Sequence, residues 1–77
     1  MDSKEISLHL KTIIENTKRE LVQIWVQCWL FEKEVEKPTN MGKEEAQKNL
    51  EIYQKRVKSL EGFISIYNEY AKENGYE

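Results

Sequence analysis

The chain has 77 residues, 34% of them charged, with 14 acidic and 12 basic side chains and a net charge of −2. That length supports one small core, near the lower limit for a self-standing domain. The mild negative charge excludes the basic footprint of a nucleic-acid binder and the polybasic patch of a membrane-surface protein.

The first residues, Met1 to Ile6, are charged and lack the basic region and apolar core of a secretory signal. Helix 1 is predicted over residues 3–36. Asp2 or Ser3 is placed to cap it, and Asp2 with Glu5 has the spacing of a capping box. Its expected seam is Ile6, Leu10, Ile13, Thr17, Leu21, Ile24, Cys28, Phe31 and Val35, with one repeated four-residue step at Thr17. His9 falls on this helix with no partner at a spacing that assembles a catalytic triad.

Within helix 1, residues 21–31 read LVQIWVQCWLF, which is apolar around most of the helix circumference. The run is too short and too interrupted to span a bilayer. Cys28 is the only cysteine, so an intramolecular disulfide or a cysteine metal cluster is not available. Its apolar neighbours make it a small packed hydrophobe. A soluble protein in a reducing cytoplasm is the resulting expectation.

The turn is predicted at residues 37–42, where Pro38 stops the helix and Gly42 adds freedom. Helix 2 is predicted over residues 43–73, capped by Thr39 or Asn40, with Glu44 and Glu45 near its positive end. Its seam, Ala46, Leu50, Tyr53, Val57, Leu60, Ile64, Tyr67 and Ala71, keeps an unbroken four-three spacing. Gly62 lies inside the helix, and the expected reading is tolerance on an exposed face. Asn74 and Gly75 form the stop, leaving Tyr76 and Glu77 as a tail.

Two long helices joined by a short turn must fold back on each other. The fold class is all-α, an antiparallel two-helix hairpin with coiled-coil-like packing, as a single domain. The hairpin has no second layer to cover what lies off the seams. On helix 1 the residues left over are Val22, Trp25, Val26, Trp29 and Leu30. On helix 2 they are Ile52, Phe63, Ile66 and Tyr70. Such unpartnered apolar surface marks an interaction site, and Trp and Tyr are enriched where binding energy concentrates. These nine residues are the candidate partner-binding set. Homodimerisation into a helical bundle is an alternative cover for them. No phosphate-binding glycine loop or metal-ligand spacing occurs, so neither a cofactor nor a metal is expected, and an enzyme is not expected.

The segment from Ile52 to Tyr67, IYQKRVKSLEGFISIY, resembles the second helix of the small E-type needle co-chaperones of type III secretion systems, the YscE/SsaE-like family. The likeness lies in an aromatic followed by Gln54 and Lys55, then Lys58-x-Leu60-Glu61, then Ile64-x-Ile66 before an aromatic-rich end. Helix 1 is similar only in pattern and is richer in tryptophan. The resemblance implies a virulence-associated, non-enzymatic cytoplasmic partner of a larger tetratricopeptide-like chaperone. Through that helical-repeat chaperone it would keep a needle subunit soluble before export. Two other resemblances compete with it. One is a self-assembling hairpin such as a needle subunit. The other is a sporulation-type aspartyl-phosphate phosphatase, whose SQELD-like stretch reads Val57-Lys58-Ser59-Leu60-Glu61 here, without the serine and the working aspartate at their places.

Overall fold

The computed structural model describes all 77 residues and contains two helices, α1 (Ser3–Glu36) and α2 (Lys43–Asn74). They lie antiparallel in a rod of 53 × 15 × 14 Å. The chain is an all-α hairpin, and the predicted boundaries hold to within one residue.

α1 begins where Asp2, in extended geometry, accepts a hydrogen bond from the Glu5 backbone N–H at 2.9 Å. This satisfies one of the free donors of the first turn. α2 ends in a Schellman arrangement. Gly75 takes a left-handed conformation (φ 71°), its N–H reaches the Lys72 carbonyl, and the Tyr76 N–H reaches Ala71 at 2.8 Å.

The α2 seam is as expected. Ala46, Leu50, Leu60 and Ala71 are buried, and Tyr53, Val57, Ile64 and Tyr67 are partly so. The α1 seam differs from the expectation at two positions near its start. Ile14 is 8% exposed, whereas Ile13 is 40% exposed. With Ile14 and Ser7 in the seam, the series Ser7, Leu10, Ile14, Thr17, Leu21, Ile24, Cys28, Phe31, Val35 keeps three-four steps throughout, and every member is at least half-buried. The repeat that matches a straight helix pair prevails over the larger side chain at position 6 and, between the two isoleucines at 13 and 14, selects Ile14.

Polar members of the seam are satisfied locally. The Thr17 hydroxyl donates to the Ile13 carbonyl at 2.8 Å, and the Ser7 hydroxyl donates to the Tyr76 carbonyl at 2.7 Å. The second bond anchors the first residue of the expected tail. The residue after the α2 stop is tied back onto the start of α1, and its ring lies 5.9 Å from that of Tyr70. Nearer the turn, Phe31 and Tyr53 meet edge to face at 5.1 Å.

The turn also corrects the expected cap of α2. Thr39 and Asn40 do not cap that helix; Gly42 occupies the cap position with φ 89° and no side-chain bond. The Thr39 and Asn40 N–H groups donate instead to the Glu34 carboxylate, at 2.6 and 2.9 Å, as does that of Met41 at 3.0 Å. The positive φ at Gly42 is a conformation that favours glycine. It lets the chain enter α2 directly after those donors are used.

Candidate protein-binding surface

The hairpin has two flanks, one on each side of the seam. In an antiparallel pair, each flank of α1 meets the equivalent heptad positions of α2. The Arg56 guanidinium donates to Glu20 at 2.7 Å and marks one flank. Lys11 and Asn68 line a shallow groove of about 660 Å³ on the other. The Glu20–Arg56 contact sets the register on its flank, where Ile13 and Phe63, each one heptad further on, lie level.

Val22, Trp25, Val26 and Trp29 fall within about 100° of arc and about 11 Å of helix, on the groove-side flank and outer face of α1. All four are exposed, Trp25 at 50% and Trp29 at 54%. Leu30 extends the far edge of this face and is exposed too. The hairpin therefore closes without them, since the buried positions nearby are Leu21 and Cys28. Lys33 reaches back over the Trp29 ring with its ammonium 5.6 Å from the centroid, and also approaches Glu36 at 3.7 Å. The ring is thus partly screened from water by a cation that can move aside.

Phe63, Ile66 and Tyr70 form a second exposed group on α2. Phe63 and Tyr70 border the seam on the Arg56 flank, near the open end of the hairpin. Ile13, which sequence patterning placed in the core, joins them there from α1. Eight of the nine candidate residues thus separate into two faces on opposite flanks. Ile52 belongs to neither: it is exposed on α2 about 16 Å along the helix from Phe63. Leu8 is also exposed, about four turns before Val22 in the same column of α1. The seven-residue spacing Leu8, Val22, Trp29, interrupted by Glu15, was the sequence signal for it.

The reactive groups lie apart from these faces. Cys28 is buried beneath α2, and burial, with a smaller contribution from the Glu32 charge, pushes its thiol pKa up. His9 is exposed. No three histidine, cysteine, aspartate or glutamate side chains converge where they could hold a metal ion. No helix is long and apolar enough to cross a membrane. The arrangement offers apolar surface edged by charge, the chemistry of protein recognition.

Comparison of the chain with protein families, with curated proteins and with solved structures finds no match.

Proposed function

We propose that this chain is a non-enzymatic protein-binding module, and that the protein it binds is a helical-repeat chaperone. The observation that carries the reading is the exposed cluster of Val22, Trp25, Val26 and Trp29 on a hairpin whose seam is already filled by other residues. Burying a large apolar side chain is worth about 1.5–3 kcal/mol, so four such residues in water leave a substantial driving force for association. A straight helix face about two turns long suits the groove between helices of a repeat protein.

The resemblance of residues 52–67 to the small E-type needle co-chaperones gives the reading its biological form. The chain would join a tetratricopeptide-like chaperone in the cytoplasm, and the pair would hold a type III secretion needle subunit as a soluble monomer. Val22, Trp25, Val26, Trp29 and Leu30 would make the principal contact with the chaperone. Phe63, Ile66 and Tyr70, on the other flank, would be free for the needle subunit or a second region of the chaperone.

Co-expression with a tetratricopeptide-like secretion chaperone and its needle subunit, followed by size-exclusion chromatography, tests this. The expected result is a stable complex containing this chain in fixed proportion. Separate elution of this chain at every concentration tried would reject the reading.

A further inference from the structure

The accessible surface of the hairpin is 6027 Å², about 1,100 Å² more than a compact monomer of this mass exposes. A standard stable interface covers about 800 Å² on each partner. Covering one face of the rod would therefore bring the chain to an ordinary surface for its size. The charges around the tryptophan face indicate what covers it in the free chain.

Lys18, Trp25 and Glu32 follow one another at seven-residue intervals, in one column of α1 beside the seam. The column thus reads cation, aromatic, anion. A second α1 laid antiparallel across it, with the two-fold axis at Trp25, sets Lys18 of each copy against Glu32 of the other. Trp25 then meets its own symmetry mate. In the adjacent column Val22 of one copy lies level with Trp29 of the other, a small side chain opposite a large one. A parallel arrangement would instead place lysine against lysine and glutamate against glutamate.

Both charges are available for this. Glu32 makes no ion pair within the chain, and Lys18 has only an exposed contact with Glu15 at 3.9 Å. The outer edge brings Arg19 level with Lys33 of the second copy, a repulsion muted by Glu36, which holds Lys33 at 3.7 Å.

We propose that the free chain pairs with a second copy through this face, as a two-fold antiparallel α1–α1 contact that makes a four-helix bundle. Exposed ion pairs contribute little affinity, so the apolar face supplies the attraction and the Lys18–Glu32 contacts fix the direction. The inference rests on the tryptophan face being an interaction surface but not on the identity of any other partner. A chaperone that takes the same face would displace the second copy.

Sedimentation equilibrium on the full chain from about 5 to about 500 µM tests the proposal, since the upper limit corresponds to a weak but specific dimer. The expected result is a monomer–dimer equilibrium. Lys18→Glu and Glu32→Lys, each checked for helicity by circular dichroism, should each weaken the dimer about tenfold or more, because two like-charge contacts replace two ion pairs. An equimolar mixture of the two variants should recover the dimer, because both cross-contacts then pair opposite charges. A monomer at every concentration would overturn the proposal. So would a dimer indifferent to both variants, or one that the mixture fails to restore. Loss of the dimer while a chaperone complex still forms would reject this pairing and leave the proposed function standing.

Discussion

Glu34, in the last turn of α1, and Thr39, in the turn that follows, are joined by two hydrogen bonds. The Thr39 hydroxyl donates to one carboxylate oxygen at 2.8 Å and the Thr39 N–H to the other at 2.6 Å. A carboxylate near a helix C-terminus opposes the dipole, so its position needs local compensation. The turn supplies it with backbone donors that would otherwise lack acceptors. The interhelical turn is therefore organised around an anion rather than around a cap of α2.

The Glu34 pKa follows from that geometry. The Thr39 hydroxyl, then the Thr39 and Met41 backbone N–H groups, lower it to about 2. The folded pKa lies below the unfolded value, so the contribution to stability is complete above the ordinary carboxylate range, near about 4.3. It declines as pH falls from there towards about 2. Thermal unfolding from pH 6 to pH 2 should show the melting temperature of Glu34→Gln below that of the parent at pH 6, with the gap closing on acidification. A gap unchanged at low pH would contradict the assignment.

The α1 seam makes a sharp comparison between neighbours. Ile14→Ala should cost about 2–4 kcal/mol and Ile13→Ala less than about 1 kcal/mol, because only the first leaves a cavity in the packed seam. Urea denaturation of the two variants measures this directly. Equal losses would mean that the register is wrong.

Leu60, 2% exposed, is the most enclosed large side chain of the chain. Leu60→Ala should cost about 2–5 kcal/mol. A domain of this length has only about 4–12 kcal/mol in total, so the variant should lose a large share of its stability and melt at a clearly lower temperature by circular dichroism.

Gly62 gives a change in the opposite direction. A Cβ built there meets no atom within 4 Å, and the residue lies in the interior of α2. Gly62→Ala should therefore stabilise the hairpin by about 1 kcal/mol, the difference in helix propensity. Denaturant midpoints of the two chains check this. A loss of stability would point to a close approach that the isolated hairpin does not contain.

Two helices, their limits and the whole α2 seam were legible in the sequence. Between Ala46 and Ala71 an unbroken four-three spacing runs through apolar residues alone, so it selects the seam even where a second apolar residue adjoins it, as at Ile52, Phe63, Ile66 and Tyr70. In α1 hydrophobicity and spacing disagree at positions 6 and 7, and hydrophobicity does not distinguish Ile13 from Ile14. Hydrophobicity favours Ile6 over Ser7, but Ser7 is acceptable in the seam because its hydroxyl donates a hydrogen bond to the Tyr76 carbonyl, a contact between residues 69 apart. Local patterning holds no trace of such a contact. The role of Glu34 was hidden for a similar reason: an acidic residue in a last turn reads as solvated surface until the turn folds over it. Exposure of the nine candidate residues followed from their angles around each helix. Their division between two flanks required the register, which the Glu20–Arg56 contact supplies.

The central claim is that the tryptophan face is built for a partner and not for the hairpin's own core. Trp29→Glu tests it most directly when denaturation and titration calorimetry against a purified tetratricopeptide-like secretion chaperone are run on the same preparation. The expected result is unchanged helicity, stability within about 0.5 kcal/mol of the parent, and an affinity at least about 30-fold weaker, the size of a hot-spot loss. A variant that unfolds, or one that folds and binds as the parent does, would contradict the claim.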